Sequence, residues 1–180
     1  MRLPFIAGNW KMFKTKKEAL EFAEEFRELY KDTDVQTAIC APFTDLEALV
    51  EAFKGTDIKV GAQNMHFADE GAYTGEISMA MLEEIGVDFC IIGHSERRQY
   101  FGETDETVNL KLKKLLTGSI RPIMCVGESL EERDAGKELE KVKTRGLTTF
   151  YFNDRNNKDF QEYDGKQYNP NYEFGGKVLN

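Results

Sequence analysis

The sequence predicts an α/β fold in which strands of one parallel β-sheet alternate with helices along the chain. Short and mostly apolar runs, typical of strands buried on both faces, recur along the sequence. They occupy residues 3–7, 35–41, 58–62, 88–92 and 122–126. Helical patterns lie between them, at residues 16–31, 45–53, 78–85 and 105–116. This alternation indicates right-handed βαβ units around a parallel sheet.

The first two helices carry sequence signals at their starts. In the first helix, apolar residues fall at helical spacing: Ala19, Leu20, Ala23, Phe26 and Tyr30. Thr15 with Glu18 has the spacing of a capping box, and Thr44 with Glu47 repeats the spacing at the second helix. We therefore expect both helices to begin directly after these threonines.

The number of units falls short of a complete barrel. Up to about residue 143 the pattern gives five strands and at least four helices. A closed (β/α)₈ barrel needs eight of each and typically ~250 residues. The sequence therefore predicts a partial (β/α) barrel of about five parallel βα units, over residues 1–143.

The last part of the chain differs in composition. Residues 146–180 hold six of the nine asparagines and four of the seven tyrosines, but no isoleucine. Residues 150–152 fit a strand, and Asn156-Asn157 and Asp164-Gly165 fit turns. We expect residues 144–180 to be a divergent polar and aromatic tail, either poorly ordered or forming a small β appendage.

Charge and cysteine usage limit the classes of function. The formal net charge of −8 argues against nucleic acid or an anionic membrane as the main partner, since both need basic surfaces. Cys40, Cys90 and Cys125 each lie in an apolar run, which indicates buried and reduced thiols. No stretch has the apolar length of a signal peptide core or a membrane span, so we expect a cytoplasmic protein.

Polar residues that could do chemistry follow two of the predicted strands. Lys11 comes after the first strand, beside Asn9, and His94 comes at the end of the fourth. The carboxyl ends of parallel strands share one face, so Lys11 and His94 are candidates to converge and to polarise a carbonyl beside a bound anion. The same residues also permit plainer interpretations. Lys11 could be a solvated loop lysine, His94 could cap the helix that follows through Ser95, and residues 96–98 could form a surface ion-pair cluster.

Five motifs in order along the chain resemble the triosephosphate isomerase family. They are Ala7-Gly8-Asn9-Trp10-Lys11-Met12, Gly61-Ala62-Gln63-Asn64, Gly71-Ala72-Tyr73-Thr74-Gly75-Glu76, Ile92-Gly93-His94-Ser95-Glu96-Arg97-Arg98 and Cys125-Val126-Gly127-Glu128. The resemblance covers residues 3 to about 137 and leaves the last forty or so residues unmatched. It implies a TIM barrel and the interconversion of dihydroxyacetone phosphate and glyceraldehyde 3-phosphate, a reaction of glycolysis and gluconeogenesis, through an enediolate.

The resemblance also implies roles for individual residues. Lys11 would hold the negative charge of a small phosphorylated triose, with Asn9 as its neighbour, and His94 would polarise the carbonyl as a neutral imidazole. Ser95 and Glu96 would support the site, which would use no cofactor and no metal. Residues 64–76, including Thr74, Gly75 and Glu76, would form the loop that interlocks two subunits of a homodimer, and Thr74 would lie near the site of the partner.

The family's catalytic glutamate has no match in this sequence. It stands in a Tyr-Glu-Pro context followed by a mobile lid and by phosphate-binding glycine loops, and residues 138–180 contain none of these. Only Glu173, followed by Gly175-Gly176, resembles them in part. We expect a truncated or fused chain that is inactive or severely impaired alone. The alternatives are that the tail completes a site, with Glu128, Glu162 or Glu173 as its base, or that the chain is a non-catalytic half-barrel that assembles with a partner chain.

Overall fold

The computed structural model of the chain describes residues 4–31, 34–127, 130–137, 140, 161–163 and 166–168. Seven strands lie in these ranges: β1 Phe5–Asn9, β2 Gln36–Ala41, β3 Lys59–Ala62, β4 Phe89–Ile92, β5 Arg121–Met124, β6 Gln161–Tyr163 and β7 Lys166–Tyr168. The helices in the same ranges are α1 Lys16–Leu29, α2 Phe43–Ala52, α3 Met79–Ile85, α4 Ser95–Phe101, α5 Asp105–Leu115 and α6 Leu130–Asp134.

The first five strands form one parallel sheet in the order β1-β2-β3-β4-β5. The sheet curls into half of a barrel, and helices cover its outer side. This arrangement confirms the predicted α/β fold of a partial TIM barrel with about five parallel units. All five strands run in the same direction, so their carboxyl ends lie at one edge of the sheet.

The outer face of the sheet packs against the helices and forms the main core. Ile39, Val60 and Ile92 contribute from the strands, and Leu46 and Leu112 are among the buried helix residues that meet them. Since Leu46 and Leu112 are almost completely removed from water, each contributes about 2 kcal/mol of hydrophobic stabilisation. The strand residues in this core come from the continuous apolar runs of the sequence.

On the inner face of the half-barrel, side chains from different strands make close contacts. The rings of Phe5 and Phe89 have centroids 4.7 Å apart, and the guanidinium of Arg121 lies 4.2 Å from the centroid of Phe89. In the register of the sheet, Cys40 pairs with Gly61 and Gly61 pairs with Phe89. Glycine leaves room for the two larger side chains on either side of it.

One of the two predicted capping boxes is present. The Thr15 hydroxyl accepts from the Glu18 N–H, and the Glu18 carboxylate accepts from the Thr15 N–H at 2.7 Å. This second bond is the main reason why the pKa of Glu18 is lower than usual.

The predicted box at Thr44 is wrong. Helix α2 begins at Phe43, with Pro42 as its N-cap, so Thr44 already lies inside the first turn. The Thr44 hydroxyl donates instead to the neighbouring Asp45 carboxylate at 3.2 Å. Pro42 allows this earlier start because a cap residue needs no backbone N–H for the helix.

Some element ends differ from the sequence prediction by a residue or two. Strand β1 extends to Asn9, so Gly8 and Asn9 belong to the strand and do not follow it. Strand β5 ends at Met124, although the Cys125 N–H still donates to the Ile92 carbonyl at 2.9 Å. The extension of β1 fixes Asn9 to the sheet directly before the polar loop.

Strands β6 and β7 pair with each other as antiparallel strands. The strand predicted at residues 150–152 and the turns predicted at Asn156-Asn157 and Asp164-Gly165 lie outside the described residues. In the parts of the chain that the structure describes, no helix combines the length and the apolar character needed to cross a membrane.

The tight inner face predicts the effect of Gly61→Ala. An added Cβ would lie 2.6 Å from the Cys40 sulfur and 3.4 Å from the Phe89 backbone, so the Cys40 side chain or the strands on either side must shift. We expect the free energy of unfolding in urea to fall by about 1–3 kcal/mol. Gly127→Ala is the matched control, because its Cβ meets nothing within 4 Å. Equal losses in the two variants would contradict the close packing at Gly61.

Candidate functional site

The candidate residues lie where chain segments leave the carboxyl ends of the strands. Lys11 follows β1, Gln63 and Asn64 follow β3, and Gly93 and His94 follow β4. Parallel strands bring these three segments to the same edge of the half-barrel. Gln63 and His94 follow Lys11 by 52 and 83 positions in the sequence and can therefore still lie close to it. The sequence interpretation placed Lys11 and His94 here for that reason.

Lys11 has an unusual backbone conformation. Its φ of +54° lies in the left-handed region, which costs a residue with a side chain about 1–2 kcal/mol. The Lys11 N–H donates to the Asn9 side-chain oxygen at 3.0 Å, and the Lys11 carbonyl accepts from the Gln63 amide at 2.9 Å. Each hydrogen bond contributes about 1 kcal/mol, so together they offset the strain.

His94 is the N-cap of α4. Its Nδ1 accepts from the Glu96 backbone N–H at 3.3 Å, so the ring proton is on Nε2. The side chain is only 14% exposed. The interpretation of His94 as a helix cap therefore holds, through Glu96 and not through Ser95. It does not compete with a chemical role, because the capping bond uses one ring nitrogen and leaves the Nε2–H as a donor.

Glu96 joins the two candidates. Its carboxylate lies 3.2 Å from the Lys11 ammonium and 3.5 Å from His94 Nδ1. Lys11 is accordingly half-buried and ion-paired, not a freely solvated lysine. Ser95, between His94 and Glu96 in sequence, is exposed at the first position of α4. The structure thus brings together Asn9, Lys11, His94 and Glu96 from the carboxyl ends of β1 and β4.

The two arginines after Glu96 make other contacts. Arg98 pairs with Asp105 at 2.5 Å, and its Nε donates to the Gly93 carbonyl at 2.8 Å. The Arg97 Nε lies 3.6 Å from the Glu103 carboxylate. Residues 96–98 therefore do not form one surface cluster, because each side chain binds a different partner around the β4 loop.

A buried ion pair below the site was not anticipated from the sequence. Lys111 and Glu103 are both more than nine-tenths buried, and their side chains are hydrogen-bonded to each other. The other Glu103 oxygen accepts from the Gly93 N–H at 2.9 Å, and the Lys111 ammonium also donates to Asn64 at 2.7 Å. The pair therefore ties α5 to the loop after β3 and to the loop that presents His94.

A sequence signal for this pair was present. Lys111 falls on the apolar face of α5, at helical spacing with Val108, Leu112 and Leu115. A lysine at a core position of a helix needs a buried partner, because an unpaired charge there is costly. That requirement predicts an acidic partner, although it does not identify Glu103.

The loop that follows Asn64 is exposed at its tip. Thr74, Gly75 and Glu76 are all exposed, and the Glu76 N–H closes a turn by donating to the Tyr73 carbonyl at 3.0 Å. His66 stacks between Phe67 and Tyr73, with centroids 4.4 and 4.2 Å away. Its Nδ1 accepts from the Ala68 N–H. These contacts give His66 a structural role in shaping the loop.

The three cysteines are free thiols. Burial raises the pKa of Cys40 to about 12 and that of Cys125 to about 11, and it raises the pKa of Cys90 as well. Thiols with such raised pKa values remain protonated at neutral pH and are poor nucleophiles. Within the described ranges, no group of three or more His, Cys, Asp and Glu side chains is placed to hold a metal ion.

Two of the three candidates for a general base cannot be placed relative to this site. Glu128 and Glu173 lie outside the described residues. Glu162 lies in β6. Among the described residues, the strand ends provide a cation, Lys11, and an imidazole N–H donor, His94.

Comparison with known proteins gives a consistent result. The Triosephosphate isomerase family model matches residues 4–159, which extends past the motif at residues 125–128. The triosephosphate isomerase of Alkaliphilus oremlandii is 53% identical over 150 residues, covering 83% of this chain and 60% of the relative. That of Alkaliphilus metalliredigens is 55% identical over 145 residues, covering 81% and 58%. That of Clostridium botulinum is 58% identical over 142 residues, covering 79% and 57%. The chain spans about three fifths of the length of these relatives.

The buried ion pair predicts a large effect of Lys111→Met. This change leaves the Glu103 carboxylate buried without its cation, which typically destabilises a protein by about 3–5 kcal/mol. We expect a fall of that size in the free energy of unfolding, measured by denaturant titration. Lys54→Met is the matched control, because Lys54 pairs with Glu51 at the surface, where such pairs contribute little.

The double variant Lys111→Met with Glu103→Gln removes both charges. We expect its free energy of unfolding to lie between those of Lys111→Met and the wild type. A single Lys111→Met variant as stable as the Lys54→Met control would contradict the role of the pair.

Proposed function

Because the chain belongs to the triosephosphate isomerase family, we propose that its strand-end site acts on triose phosphates. The reaction is the interconversion of dihydroxyacetone phosphate and glyceraldehyde 3-phosphate through an enediolate, as a step of glycolysis and gluconeogenesis in the cytoplasm. The observation that carries the proposal is the convergence of Lys11 and His94 on Glu96 at the carboxyl edge. The family motifs at Asn9–Lys11 and His94–Glu96 meet at this point.

Each group has a chemical task in this proposal. The Lys11 ammonium attracts the dianionic phosphate and the charge that develops on the substrate, and Glu96 and the left-handed backbone hold Lys11 in place. The Nε2–H of His94 donates to the carbonyl oxygen as it becomes an enediolate oxygen. Asn9 accepts a hydrogen bond from the Lys11 N–H with its side-chain oxygen, and Ser95, exposed at the start of α4, would contribute to substrate binding.

The proton on carbon needs a separate base. Enolisation requires a group within hydrogen-bond reach of that proton, and the family's Tyr-Glu-Pro segment has no match among these 180 residues. We therefore propose that this chain alone is inactive or severely impaired. In this proposal residues 1–143 form the partial-barrel domain that stabilises the oxyanion, while residues 144–180 form an appendage without a catalytic part.

A homodimer through residues 64–76 is part of the proposal. Large apolar side chains are exposed on the segments that leave the carboxyl edge: Met12 (95% exposed), Phe13 (70%), Tyr73 (48%), Tyr100 (67%) and Phe101 (68%). Exposed apolar side chains of this size are typical of protein interfaces when they form a patch. Thr74, Gly75 and Glu76 at the loop tip would then lie against the partner.

A second candidate function is a non-catalytic half-barrel that assembles with a partner chain. The observation in its favour is that β1 and β5 each have one neighbour in the five-stranded sheet. Ile6 of β1 is also 56% exposed. Open edges and uncovered apolar side chains favour pairing with further strands.

The isomerase proposal is tested with the purified 180-residue chain. We expect dihydroxyacetone phosphate turnover no higher than that of His94→Gln, but binding of this substrate that falls about tenfold in Lys11→Met. The physical reason is that Lys11 attracts the charged substrate and His94 polarises its carbonyl, whereas neither residue removes the proton from carbon.

The assay separates the candidate functions. Turnover above the His94→Gln background would contradict inactivity and direct attention to Glu128, Glu162 and Glu173. Wild-type binding of dihydroxyacetone phosphate as weak as that of Lys11→Met would contradict the triose-phosphate site and favour the non-catalytic half-barrel.

Assembly is tested by sedimentation velocity. We expect a discrete dimer, and we expect Thr74→Arg or Phe13→Asp to shift it to monomer, because each places a charge in the apolar contact. Leu29→Asp, on an equally exposed apolar residue of α1, is the control and leaves the dimer intact. A dimer that is lost in Leu29→Asp but kept in Thr74→Arg would contradict the loop interface.

A further inference from the structure

His66 holds the loop that follows β3 through three kinds of contact. Its Nδ1 accepts from the Ala68 N–H at 3.0 Å, and its backbone N–H donates to the Ile77 carbonyl at 2.8 Å. Its ring lies between those of Phe67 and Tyr73, with centroids 4.4 and 4.2 Å away. One histidine therefore connects both ends of the loop and a ring near its tip.

The hydrogen bond from Ala68 fixes the protonation state of His66. A ring nitrogen that accepts a hydrogen bond carries no proton, so the ring is neutral and its proton is on Nε2. Protonation would turn Nδ1 into a second donor that faces the Ala68 N–H. Two donors cannot share a hydrogen bond, so either the charged ring leaves this position or the Ala68 N–H turns away.

The surroundings of His66 accept a charged ring as well as a neutral one. Aromatic faces attract cations, so the rings of Phe67 and Tyr73 can stack on an imidazolium. The cavity of about 330 Å³ beside His66 is lined by two acidic and two basic side chains, Glu76 of the loop, Glu103 before α5, Arg97 of α4 and Lys111 of α5. This lining adds no net charge, so the contact with Ala68 is what a proton on His66 changes.

We propose that His66 acts as a pH switch for the loop of residues 64–76. The neutral ring holds the Ala68 N–H and stacks on Tyr73, whose carbonyl in turn accepts from the Glu76 N–H at 3.0 Å. A charged ring releases Ala68, and the loop then loses the shape in which it meets a second copy of the chain. Lowering the pH therefore weakens the dimer. The effect on assembly rests on the proposed homodimer, whereas the switch within the loop does not.

The experiment compares the wild type with three variants of the full chain at about pH 7.5 and about pH 5.5, the range in which histidine ordinarily changes its charge. His66→Asn keeps an acceptor, because an asparagine oxygen accepts from the backbone N–H two residues on, but it takes up no proton. His66→Phe keeps an aromatic ring and removes the acceptor at both pH values. His94→Gln is the matched control, because His94 is the only other histidine and its Nδ1 also accepts from the N–H two residues on.

The first readout is the protection of the Ala68 amide from hydrogen exchange, corrected for the intrinsic pH dependence of exchange. We expect protection to fall about tenfold on acidification in the wild type and in His94→Gln, as for the loss of one hydrogen bond. It stays constant in His66→Asn and is low at both pH values in His66→Phe. Constant protection in the wild type, or an equal fall in His66→Asn, would overturn the proposal.

The second readout is the dissociation constant of the dimer, measured by sedimentation velocity. We expect it to rise about tenfold on acidification in the wild type and in His94→Gln, and to stay unchanged in His66→Asn. In His66→Phe the dimer is weak at both pH values. An acid response that persists in His66→Asn would overturn the role of His66 in assembly. If the wild type forms no dimer at neutral pH, the proposed homodimer fails, and the exchange of Ala68 alone then decides the switch.

Discussion

The buried pair of Glu103 and Lys111 is the interaction on which the arrangement of the site depends. It lies where α5 meets the loops after β3 and β4, and each partner uses a second bond to hold one of those loops. Buried charges are tolerated only when they are paired and hydrogen-bonded, so the pair imposes one geometry on its surroundings. The β4 loop that carries His94 and the long loop that begins at Asn64 are thereby fixed relative to one helix. A core of apolar side chains alone would allow these loops more than one packing.

The candidate site is thus built largely by side chains that replace missing backbone partners. Gly93 gives both of its backbone polar groups to side chains: its N–H to Glu103 and its carbonyl to Arg98. Lys11 does the same with Asn9 and Gln63. Strands end at this edge, so the ladder can no longer satisfy these groups. Amide, carboxylate and guanidinium side chains form these hydrogen bonds instead. They hold Lys11 and Gly93 in left-handed conformations that regular strands and helices do not contain.

The sequence predicted the sheet, the helices with apolar faces and the meeting of Lys11 with His94, because hydrophobic periodicity and strand direction determine them. It did not give the extent of α4, which has no buried residue and hence no apolar period. It misplaced the start of α2, since the threonine signal at Thr44 was outweighed by Pro42 two residues earlier. It also missed the pair of Glu103 and Lys111, because the core position of Lys111 on α5 calls for a buried acidic partner without identifying which residue supplies it. Glu96 was predicted as a support of the site, but its bridging position follows only from the folded geometry.

The order of the strands in the sheet is the same as their order in the chain. Each strand therefore pairs with the strand made just before it, through a connection that carries its own helix. This connectivity allows each βα unit to add to the preceding one as the polypeptide leaves the ribosome. The first edge of the growing sheet is β1, and it stays unpaired on one side for as long as only these five units exist. During synthesis, the open edge of β1 is therefore the first place where a chaperone or a neighbouring nascent chain could form backbone hydrogen bonds with this sheet.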